Sequence, residues 1–356
     1  MDQWPISLRL ALLFALTALG AGAGIVIDLP VPLLTGPAIA TTLACLVRLP
    51  VAFPNPLRDA VFLVTGVTIG AGVSRESVAA LATWPLAFGI LCLSVLAMMI
   101  VGQRALAMTM RTTRATALLA CAPGHLSFVI ALSEETGIDT RRIAIIQTVR
   151  VLSLTLMVPF AARMGGIETG IGLTPVGAKP VEMSLALTTI CIALAFAFSP
   201  VLRRIRAPAP LLLSGMIVGA IARVSDVAPG GLSHYIAYPA LALIGALIGS
   251  RFTGITFRDL GRTGLSGLTI TAITAGFAAI ASVIAAPMLD MPLAHVLVAF
   301  APGGLETMTV LGAALGANPG FVAAAHVLRL LFLSAAVPIM LARARRHDLA
   351  TTAQPM

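Results

Sequence analysis

The stretch Ala301-Pro302-Gly303-Gly304-Leu305-Glu306-Thr307 puts a helix breaker in the middle of an apolar segment and follows it with polar side chains. A near copy, Ala122-Pro123-Gly124-His125-Leu126-Ser127-Phe128, stands in similar surroundings in the first half of the chain. Proline has no N–H to donate and glycine resists a fixed helical backbone, so neither stretch reads as continuous helix. Two broken apolar segments, one per half of the chain, point to a duplicated membrane protein with its working site at the breaks.

Composition agrees. The 356 residues are 58% hydrophobic and 10% charged, with a mean hydropathy of +1.01. That excess is too large for a soluble core of this size, and the repeated apolar runs read as transmembrane helices. The expected fold class is an all-α polytopic membrane protein, with the lipid bilayer as its first partner. A net charge of +9 raises nucleic acid as another. The arginines, however, stand singly or in threes between apolar runs, as in Arg104/Arg111/Arg114, Arg203/Arg204/Arg206 and Arg343/Arg345/Arg346. That placement suits loops held on the cytoplasmic side, and no direct nucleic-acid contact is expected. Cys45, Cys92, Cys121 and Cys191 lie inside apolar stretches with no CxxC spacing. They read as small packing residues, and neither metal nor cofactor is expected.

In chain order the apolar elements are Ile6 to Ile27, Leu33 to Val47, Ala60 to Val73, Leu81 to Val101, the broken segment Ala115 to Glu135, and Ile143 to Ala162. After a Gly-rich connector the order returns: Met183 to Val201, Leu211 to Ala222, Tyr238 to Ile248, Leu265 to Met288, the broken segment Leu293 to Leu315, and Phe321 to Leu341. The first element resembles a signal peptide, but its counterpart in the second half argues for a structural helix. The expected organisation is a first membrane repeat at 1–164, a connector at 165–180, a second repeat at 181–343 and a cytoplasmic tail at 344–356.

Sliding the chain against itself until Pro123 meets Pro302 aligns Leu118 to Phe160 with Leu297 to Ile339 without a gap, and 14 of 43 positions are identical. Chance at this composition gives roughly 4. The shared positions include Gly124/Gly303, Arg150/Arg329 and Pro159/Pro338. Pro30/Pro32 and Pro208/Pro210 also recur, each pair followed by Gly36 or Gly215, where close helix packing is one reading.

Topology follows from the basic residues. If all twelve elements cross the membrane, the 21 Arg and Lys outside the apolar segments divide 12 to 9 between the two sides. If each broken segment enters and leaves on one side, the division is 17 to 4, with only Arg75, Arg163, Lys179 and Arg223 outside. The positive-inside rule favours the second arrangement, with ten spans, two re-entrant hairpins and both termini cytoplasmic. Five crossings per half make the repeats inverted, as in secondary transporters with broken helices at the midplane. A crossing segment unwound at Pro-Gly is the rival geometry. In either case non-helical backbone at membrane depth must be buried or line a wet cavity.

After each break a short helix begins, and its free N–H groups and positive dipole end suit an anionic or carbonyl group. Pro123, Gly124, His125 and Ser127 in the first copy, and Pro302, Gly303, Gly304, Glu306 and Thr307 in the second, are the candidate solute-binding residues. Ser127 and Glu306 also suit a plain capping role. Glu306 is the one acid well inside an apolar segment of the second half, which makes it a candidate for proton or cation coupling or a neutralising partner for Arg329. Arg150 and Arg329 are the equivalent buried bases, with Gln147 and His326 three positions before them on the same helix face. They read as structural clamps or as solute ligands. Pro159 and Pro338 are expected to kink or end their helices.

Two copies of A-P-G-[GH]-L, each followed by an Arg-bearing apolar helix ending in V-P, resemble the AbrB duplication membrane family over nearly the whole chain. The first copy departs from the pattern, with His125 where Gly is usual. The resemblance implies an inner-membrane protein whose relatives carry conflicting labels: ammonia monooxygenase, regulator of aidB expression, and transcriptional regulator. The residues argue against the enzyme reading, because His125, His234, His295, His326 and His347 form no pair at metal-ligand spacing. No separate soluble DNA-binding domain stands beside the membrane elements. The expected function is secondary transport of a small anionic solute by alternating access, with a membrane sensor affecting gene expression as the alternative. An oligomer is compatible with the sequence.

Overall fold

The computed structural model describes residues 4–73, 83–110, 112–123, 126–166, 182–228 and 230–352. Among them are fourteen helices: α1 (Ile6–Val26), α2 (Pro32–Leu46), α3 (Asn55–Gly70), α4 (Trp84–Met110), α5 (Arg114–Cys121), α6 (Leu126–Glu135), α7 (Thr140–Met164), α8 (Leu185–Arg204), α9 (Pro210–Val224), α10 (His234–Ser250), α11 (Phe257–Leu289), α12 (Leu293–Phe300), α13 (Leu305–Ala314) and α14 (Pro319–Thr352). No strand accompanies them among the described residues. The fold is all-α, and six helices, α1, α4, α7, α8, α11 and α14, are long and apolar enough to cross a membrane.

The helices start where local chemistry tells them to. Thr113 caps α5 by accepting the N–H of Thr116 at 3.2 Å. Ser184 caps α8 through the N–H of Leu187 at 3.3 Å. Thr256 and Asp259 form a capping box at the start of α11. The helices α2 and α9 both open with proline at the first position, behind a residue in the left-handed region, Val31 (φ 51°) and Ala209 (φ 43°). Two more left-handed pairs recur at the separation of Val31 from Ala209, namely Asp28 with Arg206 and Arg48 with Asp226.

Several helices outrun the apolar segments that announce them. The charged start Phe257 to Gly264 belongs to α11, and α14 runs through the expected tail to Thr352. Pro159 and Pro338 stand inside α7 and α14, and both helices continue past them. A proline beyond the first turn costs one backbone hydrogen bond, which long helices in a packed setting tolerate.

The chain forms two compact units that do not follow its halves. The first takes residues 1–82, 155–254 and 305–323, hence α1, α2, α3, α8, α9, α10 and α13. Here α1 packs on α2 and α8 on α9, while α2 pairs with α10 and α3 with α9, so each half lends its third helix to the other half's second. These exchanged pairs are close because glycines remove the side chains between them. A Cβ on Gly66 would sit 2.3 Å from the Leu212 carbonyl oxygen, and one on Gly215 would sit 2.7 Å from that of Leu63. Gly66 meets Leu212 and Gly215, and Gly70 meets Met216 and Ala220, so α3 and α9 run parallel. Gly245 at Leu34 and Gly249 at Ala38 make α10 parallel to α2.

The second unit takes residues 83–154, 255–304 and 324–356. In it α4 packs on α11, α5 on α4 and α12 on α11, again a list in which each half's pairing has its counterpart.

Candidate functional site

Both breaks are tight and internal. The helix α5 ends at Cys121 and Ala122 turns to extended backbone (φ −56°, ψ 121°). The helix α12 ends at Phe300 and Ala301 does the same (φ −60°, ψ 132°). Ala122, Pro123, Ala301 and Pro302 are buried. A helix that stops inside a protein leaves its last carbonyls without N–H partners, and they need another donor.

Two arginines supply it. Arg329, 1% exposed, donates from Nη1 to the Ala301 carbonyl at 2.9 Å and from Nη2 to that of Gly303 at 3.0 Å. Arg150, also 1% exposed, donates from Nη1 to the carbonyls of Cys121 and Ala122, both at 3.2 Å. Its Nη2 donates to Gln147 Oε1 at 2.7 Å. Gln147 Nε2 in turn donates to the carbonyls of Leu119 at 3.1 Å and Ala122 at 3.0 Å. The cations therefore sit at the negative ends of α5 and α12, where carbonyl dipoles stabilise positive charge, and no carboxylate pairs with either among the described residues. The Nε of each arginine is buried and makes no hydrogen bond.

The spacing of three in the sequence identified Gln147 and His326 as neighbours of the clamps, and Gln147 shares the first break with Arg150. His326 is fully buried in α14. Gly124, His125 and the Ser127 side chain lie outside the described residues.

On the far side of the second break, α13 begins at Leu305 with Glu306 and Thr307 in its first turn. Thr307 is buried, and Gly303, Gly304 and Glu306 are half-buried. Glu306 takes part in no ion pair among the described residues. The N–H groups of Leu305, Glu306 and Thr307 find no backbone acceptor among them either. Glycine spacing at 66/70, 215/219 and 245/249 was a signal available in the sequence beyond Gly36 and Gly215, and it marks the helix contacts on which the first unit is built.

Broken apolar segments, buried arginines and long apolar helices define a polytopic membrane protein whose irregular backbone is held from within. The chain belongs to the AbrB family: residues 33–345 match the family model described as "Transition state regulatory protein AbrB". It is similar to "Putative regulator AbrB" of Escherichia coli (strain K12), 27% identical over 92% of this chain and 92% of that protein. It is also similar to "Uncharacterized protein YhjN" of Bacillus subtilis (strain 168), 27% identical over 64% of this chain and 63% of that protein.

Proposed function

We propose that the protein is a secondary transporter of a small anionic solute in the bacterial inner membrane, not an enzyme, and that it works by alternating access with both termini in the cytoplasm. The observation that carries this reading is the start of α13, where consecutive N–H groups have no backbone acceptor among the described residues, within an otherwise apolar segment. Such donors are costly at membrane depth unless water or a ligand takes them, and the helix dipole favours an anion or a carbonyl oxygen. Glu306 stands in the same turn without an ion pair among the described residues. A carboxylate beside an anion is repulsive unless a proton or cation enters with it, and that requirement couples solute to ion.

Helix directions support the inverted repeat. If each unbroken helix crosses once, α4, α7 and α8 are the three crossings between α3 and α9. Three crossings leave α3 and α9 parallel, as their glycine contacts have them, only when the first broken segment returns to the side it came from.

Uptake into proteoliposomes across a panel of small organic anions tests the reading. Flux that depends on an ion gradient and falls at least tenfold in Glu306→Gln supports it. The absence of flux for every solute, from protein that is folded and binds one of them, favours the second reading, a membrane sensor acting on gene expression through a partner. That alternative rests on the word "regulator" in the name of the Escherichia coli relative.

A further inference from the structure

In the second unit the starts of α7 and α11 meet around a cavity of about 330 Å³. Arg141, Arg142 and Arg262 line it together with Asp139 and Asp259. Both carboxylates already have work. Asp139 caps α7, its Oδ1 accepting the N–H of Arg142 at 3.1 Å. Asp259 Oδ2 accepts the N–H of Thr256 at 3.0 Å, its hydroxyl at 2.7 Å, and the Arg141 guanidinium at 2.9 Å. Arg142 and Arg262 are in no ion pair among the described residues. The Nε of Arg142 is buried and makes no hydrogen bond. Two guanidinium groups with unused donors thus line one cavity, and two helix N-termini add their positive dipole ends.

We infer that this cavity binds a phosphate group. Its donors come from two helices, which suits the oxygens of a tetrahedral oxyanion better than a planar carboxylate that one fork satisfies. Arg142 lies two helical turns before Arg150 on α7, about 12 Å along the axis, so this site is separate from the breaks and does not depend on the transport reading. The group comes either from an anionic phospholipid headgroup or from a phosphate compound in solution.

The full chain in nanodiscs of net-neutral phosphatidylcholine is titrated with inorganic phosphate, against chloride at matched ionic strength, and its thermal midpoint is followed. In parallel, discs containing phosphatidylglycerol are compared with phosphatidylcholine alone. A saturable rise with phosphate but not chloride identifies a soluble ligand; a rise with phosphatidylglycerol in phosphate-free buffer identifies a lipid. In either case the apparent affinity falls roughly tenfold or more in Arg142→Gln/Arg262→Gln, as loss of charged hydrogen bonds requires. The control Arg203→Gln/Arg204→Gln, which removes two exposed charges outside the cavity, keeps the response. Equal loss in both double variants reduces the effect to bulk surface charge and overturns the site. A wild-type midpoint that distinguishes neither phosphate from chloride nor the two lipids overturns it as well, and that arm stands even if the variants fail to fold.

Discussion

At the scale of single residues, each clamp leaves buried acceptors short of a donor when its arginine is removed. Arg150 serves the carbonyls of Cys121 and Ala122 and Gln147 Oε1, and Arg329 serves the carbonyls of Ala301 and Gly303. Replacing either arginine with Met is therefore predicted to cost about 2 kcal/mol, on the usual worth of charged hydrogen bonds to buried acceptors. Arg329→Lys falls between wild type and Arg329→Met, because one ammonium cannot fork across carbonyls two residues apart. Denaturation midpoints in detergent check both losses, and an unchanged midpoint in either Met variant would show that its clamp holds nothing. A second residue-scale prediction concerns Glu182, which accepts from His234 Nδ1 at 2.8 Å on an exposed surface. Hydrogen bonds from the His234 side chain, then from its backbone N–H and from Ser233, hold the Glu182 carboxyl below its ordinary value of 4.5. A depressed carboxylate stabilises the fold above the ordinary value and loses that contribution as pH falls through its own. The stability difference between wild type and Glu182→Gln is predicted to be present just above about pH 4.5 and to close as pH falls below it; because the pair is solvated, the difference is small throughout.

At the scale of elements, the exchanged helix pairs depend on bare backbone. A side chain at Gly66 cannot avoid the Leu212 carbonyl by changing rotamer, since the clash begins at Cβ, 2.3 Å away. Gly66→Leu is predicted to part α3 from α9 and cost about 1–3 kcal/mol or more, the usual penalty of overpacking. Gly22, whose added Cβ meets nothing within 4 Å, is the matched control and tolerates the same change. Folded yield and thermal midpoint in one detergent distinguish the two positions. The sequence announced the elements well, because a Pro-Gly break within an apolar run is a local signal. It could not announce the pairings. Helices such as α1 and α4 are apolar around most of their circumference, so no stripe points to a partner, and small residues mark closeness without naming the neighbour. The arginines were ambiguous for a related reason. Whether Arg329 meets a backbone carbonyl or a solute depends on where Ala301 lies, on a different helix end, and spacing along α14 does not contain that.

At the scale of the whole molecule, the halves in sequence and the compact units in space divide the chain differently, and contacts within each unit constrain how it threads a membrane. In the first unit Asp28, just after α1, pairs with Arg163, at the end of α7. Between them lie α2, α3, α4, the first broken segment and α7. If the unbroken helices each cross once, the two residues reach the same face only if the broken segment does not cross. In the second unit Asp348 accepts the N–H groups of Arg114 and Ala115, both at 3.1 Å. With the first break re-entrant, the same count from Arg114 to Asp348 requires the second to be re-entrant too. The short helices α5 and α12, 8 residues each, reach about 12 Å, well under half of a hydrocarbon core of roughly 30 Å, so a hairpin suits their length. A reporter fused after Gly137, between α6 and α7, is therefore predicted to be cytoplasmic, and one fused after Gly166, in the turn that follows α7, to be outside. The reverse pattern would mean that the first break crosses, and it would set Asp28 and Arg163 on opposite faces of the membrane. Cysteine accessibility at positions 28 and 163 checks the same point independently: both are predicted to react with an impermeant thiol reagent added from outside intact cells.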